Sequence, residues 1–282
     1  MTDSDLTPLC EKAAHWLSRA DALVIAAGAG MGVDSGLPDF RGNEGFWQAY
    51  PALGRAKMDF TAIANPAAFV DDPSLAWGFY GHRLQLYRQT QPHRGFELLK
   101  AWGERTAHGG AVFTSNVDGQ FQKAGYVHEA SHPIEECHGS IHHLQCLAPC
   151  TDAIWPADDF VPEVDPDSGR LCNAPPRCIY CGGLARPNIL MFGDCEWLEQ
   201  RTYTQHHAMQ RWLMKARQPV VIELGAGTAI PSVRRFTQRV LNTPAARLIR
   251  INPREFHVGS SQAVGLPLGA MAGVLAMAAF RA

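Results

Sequence analysis

Short apolar runs alternate with amphipathic stretches along this chain, and the apolar runs stop at small or polar residues. The run at 22–27 consists of small and branched apolar residues, and glycines follow it at positions 28, 30 and 32. Such a run predicts a buried strand, and the glycines predict an abrupt turn after it. Upstream, apolar residues recur at helical spacing from Leu6 to Ser18, which predicts a helix that leads into the strand.

Four later apolar runs have the same form, and each ends in glycine, amide or carboxylate residues. We expect strands at 110–115, 188–192, 219–224 and 247–251, with helical segments between them. This alternation predicts an α/β protein with a Rossmann-like, doubly wound parallel sheet. Ligands of such sheets bind beyond the carboxyl ends of the strands. Any single strand end could be an ordinary turn, but five that agree indicate a binding site.

Two stretches depart from the strand pattern and are predicted insertions. Residues 43–88 show loose helical spacing, with Pro51, Pro66 and Pro73 dividing short helices. Residues 142–185 contain two close pairs of cysteines, and the stretch between the pairs, Thr151–Arg177, is rich in Asp, Pro and Gly and holds little that could form a core. We therefore predict a smaller domain that is made of both insertions.

The remaining segments, 1–42, 89–141 and 186–282, are predicted to form the larger domain. Its last apolar run, at 264–280, is short and interrupted by Gly and Pro, so we expect a core helix and no membrane span. The polar and acidic start of the chain does not resemble a signal peptide, which favours a cytoplasmic protein.

Composition narrows the class of protein without deciding its function. The 282 residues are 46% hydrophobic and 18% charged, with a formal net charge of −2. These values are typical of a globular protein, and no basic block stands out, so we expect no nucleic-acid or membrane partner. The oligomeric state does not follow from them.

Two close pairs of cysteines predict a structural metal site. Cys146 and Cys150 form one pair, and Cys178 and Cys181 form the other. Without a secretory signal, thiolates at this spacing indicate a tetrahedral zinc site more than disulfides. Four thiolates leave no open position on the metal, so the zinc should hold the fold and take no part in a reaction.

The other four cysteines are weaker candidates. Cys172 is an isolated competing ligand, and Cys10, Cys137 and Cys195 are expected to be small buried residues. Reduced, unpaired thiols are the alternative to a zinc site.

The segment after the first strand holds the densest set of candidate residues. Ser35-Gly36-Leu37-Pro38-Asp39-Phe40-Arg41 places an acid, an aromatic ring and a guanidinium directly behind the glycines. Backbone N–H groups in such a loop can bind a phosphate. However, the glycines match neither the dinucleotide fingerprint nor a P-loop, so a plain tight turn explains them equally well.

This segment resembles the sirtuin signature GAG-x-S-x-x-SGIPDFR, from which it differs by Gly32 for Ser and Leu37 for Ile. Further sirtuin-like motifs follow in the order of that family. They are TSNVDGQFQKAG at 114–125, ECHGS at 136–140, the two cysteine pairs, RPNILMFGD at 186–194 and the Ile-Asn at 251–252. The resemblance covers nearly the full length of the chain.

The resemblance implies an NAD site at the carboxyl edge of the sheet. The implied cofactor-binding residues are Gly28, Ala29, Gly30, Gly32, Leu37, Asp39, Phe40, Arg41, Ser115, Asn116, Asp118, His138, Gly225, Ala226, Gly227 and Asn252. Among these, His138 is the implied general base, and Asn116 and Asp118 are the other implied catalytic residues. Ser115 replaces a Gln of the family, and Gly-Ala-Gly replaces Gly-Thr-Ser at 225–227.

The implied reaction is the NAD-dependent removal of acyl groups from protein lysine, which gives nicotinamide, acyl-ADP-ribose and free lysine. An imidazole that titrates near neutrality can deprotonate a ribose hydroxyl, and fixed polar groups can stabilise charge on the sugar. An ADP-ribosyltransferase, an NAD hydrolase and an inactive NAD-binding module are the alternatives. A Cys137–His138 nucleophile is disfavoured, because sequence neighbours seldom face each other.

Two sets of residues bear on the substrate. Tyr80 and Arg83 resemble the pair that marks sirtuins acting on succinyl- and malonyl-lysine, and a guanidinium with a phenol can bind a carboxylate. The alternative is an amphipathic helix from which both side chains reach solvent. The acylated peptide is implied to lie between the domains, partly as an added strand along Leu190, Phe192 and Gly193.

Overall fold

The structure of the chain is a computed structural model, and it describes residues 3–38 and 42–280. Its elements follow in the order α1 (Asp3–Arg19), β1 (Ala22–Ala27), α2 (Gly30–Val33), α3 (Gly42–Ala49), α4 (Pro51–Arg55), α5 (Phe60–Ile63), α6 (Pro66–Asp71), α7 (Pro73–Gln89), α8 (Arg94–Glu104), β2 (Gly110–Thr114), α9 (Gln120–Lys123), β3 (Ile134–Glu136), β4 (Gly139–Cys146), β5 (Trp155–Pro156), β6 (Ala185–Ile189), α10 (Gln200–Leu213), β7 (Pro219–Leu224), α11 (Ser232–Val240), β8 (Arg247–Ile251), β9 (Ala263–Leu266) and α12 (Ala270–Ala278).

The centre of the molecule is a six-stranded sheet with the order β3-β2-β1-β7-β8-β9. All its neighbouring strands are parallel. Alternate residues of β1 face opposite sides of this sheet. Leu23 and Ile25 pack with α1, α8 and α12, whereas Val24 and Ala26 pack with α10 and α11. Because both faces are covered by helices, the predicted doubly wound α/β fold is confirmed.

The sequence prediction of the sheet was wrong at one strand. The run at 188–192 was expected to be a strand of the parallel sheet, but only its first two residues lie in a strand. That strand is β6 (Ala185–Ile189), and it pairs antiparallel with β4 in a separate three-stranded sheet. The continuous apolar residues at 189–192 are typical of a buried parallel strand, but three of these four residues follow β6, and the antiparallel pairing of β6 with β4 is not visible in the sequence. The edge strands β3 and β9, of three and four residues, were not predicted, and neither were β4 and β5 of the small sheet.

The end of the chain also differs from the prediction. The run at 264–280 was expected to be a single helix, but it forms the edge strand β9 and then α12. Pro267 and Gly269 separate the two elements, and the Asp34 carboxylate accepts a hydrogen bond from the Met271 N–H at 2.8 Å near the start of α12. No helix within residues 3–38 and 42–280 is long and apolar enough to cross a membrane.

The predicted helical insertion is present as α3 to α7. Pro51, Pro66 and Pro73 each lie in the first turn of a helix, where a missing N–H costs nothing, so they divide the helices as expected. The aromatic side chains of these helices form a second apolar core, which also includes residues of β4 and β6. The small antiparallel sheet therefore packs on the helical insertion. The exact domain boundaries stay a prediction.

Candidate active site

The ends of five parallel strands bring most of the predicted cofactor residues to one edge of the sheet. Ala27 is aligned with Thr114 of β2 and Leu224 of β7, and the register continues outwards to Glu136 and Ile251. The residues that follow these five are therefore neighbours at the carboxyl edge. They are Gly28, Ser115, Gly225, Cys137 and Asn252.

The glycines after β1 are required by contact between two strand-end loops. A Cβ on Gly28 would lie 2.9 Å from the Ala226 Cα, and one on Gly30 would lie 2.6 Å from the Gly225 Cα. The N–H groups of Gly28 and Gly30 donate to the carbonyls of Leu224 and Gly225. These two N–H groups therefore hold the loops together, and a close approach of phosphate is not what demands glycine here.

The loop after β7 is fixed by side chains from two further elements. The Ala226 carbonyl accepts hydrogen bonds from Asn252 Nδ2 at 3.0 Å and from the Arg234 guanidinium at 2.8 Å. Arg234 also pairs with the buried carboxylate of Glu223 at 3.0 Å. Gly225, Ala226 and the predicted Asn252 thus form one rigid unit at the edge of the sheet.

Asn116 connects the loops that follow β1 and β2. Its Nδ2 donates to the Gly28 carbonyl at 3.1 Å, and its own N–H donates to the Thr114 hydroxyl at 3.0 Å. The carboxylate of Asp118 accepts from the Gln120 N–H at 2.9 Å. Burial is the main cause that raises the pKa of Asp118 to about 6, so the group is ionised at neutral pH and loses its charge in mildly acidic solution.

His138 follows β3 and lies half-buried beside the same edge. Its Nε2 is 3.1 Å from the Ser232 Oγ on α11, and its carbonyl accepts from the Leu190 N–H at 2.9 Å. Burial lowers the pKa of the imidazole, and a hydrogen bond with the Ser115 backbone opposes that shift. A lowered pKa keeps the ring neutral at pH 7, which is the form that can accept a proton.

A cavity of about 600 Å³ opens beside His138. Its walls come from the ends of β2 and β3, from α10 and α11, and from Leu190. Within the described part of the chain, the residues of the loop after β1 do not line it. His138 therefore lies between this cavity on one side and the strand-end loops on the other.

Cys137 also lines the cavity, but its chemistry does not support a nucleophile. Burial raises the pKa of its thiol to about 12, so almost no thiolate exists at neutral pH. This finding agrees with the expectation that Cys137 and His138 do not act as a pair. The expectation that Cys195 is buried was wrong, since it is exposed, whereas Cys10 is buried as expected.

The segment after β6 presents the predicted substrate residues on a turn. Leu190 and Phe192 are each 40% exposed, and Gly193 has a φ of +66°, which favours glycine. The turn is built on a buried ion pair, in which both terminal nitrogens of Arg186 donate to Asp194 at 2.8 Å. Aspartate thus serves at a position where the sirtuin motif has Glu.

The main-chain donors of this turn are partly used. The Leu190 N–H donates to His138, and the Phe192 N–H donates to the Ala64 carbonyl. An added peptide strand would therefore have to pair with the carbonyls of this segment or with the Gly193 N–H.

Arg83 and Tyr80 lie on α7, in the aromatic core and not at the surface. Arg83 is 7% exposed, and its Nε and one terminal nitrogen donate to the Tyr87 hydroxyl at 3.0 and 2.7 Å. Tyr80 stacks on Phe69 at a ring-centroid separation of 5.5 Å. The alternative of a solvent-facing amphipathic helix is thereby excluded. Tyr87, four residues further along the helix, is a phenol that accepts two hydrogen bonds from the guanidinium.

The four paired cysteines converge as predicted. Cys146 and Cys181 have Sγ atoms 3.7 Å apart, those of Cys150 and Cys178 are 3.6 Å apart, and all four lie within 4.8 Å of one another. Thiolates around tetrahedral zinc, with Zn–S of about 2.3 Å, are separated by about 3.8 Å. The set therefore fits zinc, and it leaves no position for a water or substrate. Cys172 is exposed and lies outside this cluster.

Three predicted site residues are not described by the structure, two others lie on the expected loops, and two residues of the site were not predicted. Asp39, Phe40 and Arg41 lie outside the described residues. Ala29 and Gly227 lie on the loops after β1 and β7, as expected. The sequence analysis missed Ser232 and Tyr87. The spacing of four residues between Arg83 and Tyr87 on a helix was a usable signal, whereas nothing in the sequence linked Ser232 to His138.

The fold and this edge define a class: a doubly wound α/β protein with a ligand site at the carboxyl ends of its strands and a separate four-cysteine module. The model of the Sir2 family matches residues 28–222. The chain therefore belongs to the Sir2 family, that of the sirtuins, and the resemblance seen in the motifs is confirmed.

Three relatives and one solved structure illustrate this membership. The "NAD-dependent protein deacylase 1" of Pseudomonas aeruginosa is 38% identical over 179 residues, which cover 63% of this chain and 64% of that protein. The "NAD-dependent protein deacetylase" of Halalkalibacterium halodurans is 29% identical over 85% of this chain and 86% of its own. The mitochondrial "NAD-dependent protein deacylase sirtuin-5" of Danio rerio is 32% identical, over 68% of this chain and 62% of its own.

A solved Sir2 homologue–NAD complex superposes with a TM-score of 0.70, at 22% identity, over 96% of this chain and 93% of that one. At this identity the likeness concerns the fold. The chain spans 64% of the length of the Pseudomonas aeruginosa deacylase and 62% of that of an "NAD-dependent protein deacylase" of Aquifex aeolicus.

Proposed function

We propose that this protein removes acyl groups from lysine side chains of proteins in an NAD-dependent reaction, with release of nicotinamide and acyl-ADP-ribose. The observation that carries the proposal is the position of His138. Its imidazole is held in the neutral form between the strand-end loops and an open cavity. The relatives described above are named NAD-dependent protein deacylases and deacetylases, and these names support the same activity.

The carboxyl edge fits NAD by the chemistry of its groups. Polar side chains and loop backbone stand at five adjacent strand ends, which is where doubly wound sheets bind dinucleotides. Bound NAD would supply a ribose carbon from which nicotinamide can leave. Asn116 and Asp118 would orient the cofactor next to the β1 and β2 ends, and Gly225, Ala226 and Asn252 would contact it from the other half of the sheet.

His138 would accept a proton from a ribose hydroxyl. A neutral imidazole can do so at pH 7, and the Ser232 hydroxyl at 3.1 Å from Nε2 can hold the ring in one orientation. Asp118 stays charged at that pH, since its pKa is about 6, and supplies a fixed negative field near the sugar. The zinc would keep the small sheet in shape and take no part in the reaction.

A finer part of the proposal concerns the acyl group. Arg83 is a buried guanidinium that lies among the rings of Phe79, Tyr80 and Tyr87, with its Cζ between 5.3 and 5.8 Å from their centroids. Its charge also lowers the pKa of Asp118, against the larger upward effect of burial, and this supports a position near the proposed site. A terminal carboxylate of a succinyl or malonyl group is the kind of ligand that such a guanidinium binds.

The test is to incubate the protein with NAD and to measure nicotinamide release with and without acetyl-, succinyl- and malonyl-lysine peptides. Release that requires an acyl-peptide and yields free lysine supports the proposal. Release without any peptide would indicate an NAD hydrolase, and a labelled ADP-ribose that remains on a protein would indicate a transferase. NAD binding without turnover of any peptide would indicate an inactive module.

A further inference from the structure

The charges of this chain are distributed very unevenly. Between Glu199 and Glu255 the sequence holds ten of the 25 Lys and Arg residues but only one of the 27 Asp and Glu residues, which is Glu223. The net charge of −2 conceals this excess, because acidic residues elsewhere in the chain balance it. The basic residues are also spread along the segment and form no continuous run, so the sequence shows no basic block.

Folding concentrates part of this charge beside His138. Arg235 and Arg239 are exposed side chains on α11, one turn apart, and both line the cavity of about 600 Å³. In the described ranges no carboxylate oxygen lies within 4.0 Å of either guanidinium. By contrast, Arg234 and Arg250 both pair with the buried carboxylate of Glu223, at 3.0 and 2.6 Å. Two cations of the cavity wall are thus available to a ligand.

The rest of the cavity wall suits an extended, acidic chain. Gln238 and Asn242 are exposed amides on the same side of α11. The one carboxylate of the wall, Glu135, is 4% exposed, and its Oε1 is 3.0 Å from His206 Nδ1. The wall therefore offers cations and amide groups to solvent. Its acid is buried, with Oε1 beside His206 and Oε2 without a hydrogen-bond partner among the described residues.

The position of the cavity identifies its occupant. It begins at His138 and Leu190, where an acyl-lysine must arrive if the proposed function holds, and it continues along α11. We infer that this groove between α10 and α11 binds acidic residues that flank the modified lysine of the substrate protein. The inference rests on the proposed function and adds substrate selectivity to it. A nucleic acid would also meet the charge, but the continuity with His138 favours the substrate chain.

The experiment uses one acyl-lysine peptide whose flanks carry glutamate, glutamine or lysine, on the amino side or on the carboxyl side. We expect kcat/KM for the best glutamate-flanked peptide to exceed that of the matching lysine-flanked peptide by about tenfold at low ionic strength, and by less at high ionic strength. In the double variant Arg235→Gln/Arg239→Gln this ratio should fall to about twofold or less.

The matched control is Arg211→Gln/Lys215→Gln, which removes two exposed cations in or just after α10 that do not line the cavity. In this control variant, kcat/KM for the glutamate-flanked peptide should still exceed that for the lysine-flanked peptide by the same factor as in the natural protein. A ratio near one in the natural protein, or an equal loss in the control, would overturn the inference. So would an oligonucleotide that binds through Arg235 and Arg239 while the peptide ratio stays near one.

If no peptide is turned over, the proposed function is wrong, but the binding of acidic residues in the groove can still be tested. Fluorescence anisotropy with the same labelled peptides then tests the groove alone. Tighter binding of the glutamate-flanked peptide, dependent on Arg235 and Arg239, supports the inference, and equal binding of all peptides contradicts it.

Discussion

The Cδ1 of Leu37 lies 2.8 Å from the position that a Cβ on Gly32 would occupy. These are the two positions at which the glycine-rich segment differs from the sirtuin signature, with Gly for Ser and Leu for Ile. The leucine side chain is 6% exposed and fills the space that a larger residue at 32 would need. The two differences therefore form a single packing change.

The first prediction follows from this contact. Gly32→Ser should lower the free energy of unfolding by about 1 kcal/mol, because the end of a flexible side chain must move. Gly30→Ala should lower the free energy of unfolding by more than Gly32→Ser does, because the alanine Cβ would lie 2.6 Å from the Cα of Gly225. Leu37→Ala should reduce the cost of Gly32→Ser, so that the two changes are not additive in denaturant melts.

Gly259→Ser is the control for these variants, because nothing lies within 4 Å of the position of its Cβ. Additive costs for positions 32 and 37 would contradict the packing account.

The second prediction concerns Arg234, which holds the Ala226 carbonyl. Arg234→Gln should raise the KM for NAD roughly fivefold, with a much smaller change in kcat, because the Ala226 carbonyl, on the loop proposed to contact the cofactor, loses one of its two side-chain hydrogen bonds. Arg217→Gln, at an exposed side chain, serves as the control. An equal fall in kcat with an unchanged KM would argue against a role in cofactor positioning.

The third prediction concerns the metal. Replacing Cys146 or Cys178 by Ser should remove zinc and lower the melting temperature, whereas Cys172→Ser and Cys195→Ser should leave the metal content at one zinc per chain. Metal analysis of the purified proteins checks this. Full zinc content after loss of all four clustered thiols would disprove the site.

The fourth prediction concerns the acyl group. Arg83→Met should lower kcat/KM for succinyl- and malonyl-peptides at least about tenfold, with little loss for acetyl-peptides, since only the former offer a carboxylate to the guanidinium. Tyr87→Phe should have a smaller effect on the ratio of kcat/KM for succinyl-peptides to kcat/KM for acetyl-peptides. It removes a hydrogen-bond partner of Arg83 but keeps the charge of the guanidinium. An equal loss for all acyl groups would mean that Arg83 acts only in the fold.

The sequence predicted those parts of the molecule that depend on local pattern. The strands at 22–27 and 219–224 have the expected bounds, because each is a long apolar run in the middle of the sheet. The edge strands β3 and β9 were missed because three or four residues carry little pattern. The strand β6 was assigned to the wrong sheet because its partner β4 lies about 40 residues earlier in the sequence. The periodicity of apolar residues does not show which strands pair with each other.

The same distinction holds for the site. The cysteine spacing and the polar strand ends pointed to real clusters, since each is a local signal. The contacts of His138 with Ser232 and of Arg234 with Ala226 arise only when separate elements pack together. Arg83 and Tyr87, by contrast, lie on one helix at a spacing that the sequence already shows. The concentration of cations on α11 was likewise hidden by an almost neutral total charge.

The pH dependence of the reaction provides the fifth prediction. Since burial lowers the pKa of His138, its neutral form persists below the usual value of about 6.5, and the base is lost only as the pH falls further. Asp118, with a pKa of about 6, loses its charge over the same acidic range. We expect kcat/KM to be constant near pH 7 and to fall on the acidic side, with a midpoint below 6.5. A midpoint above 7 would contradict the environment described for His138.

The most direct test of the account is the activity of His138→Ala, measured together with its affinity for NAD. A general base contributes roughly a hundredfold or more to the rate, so deacylation should fall by at least that factor while the Kd for NAD changes little. Deacylation by His138→Ala within about tenfold of the natural protein, at an unchanged Kd, would show that this imidazole is not the base.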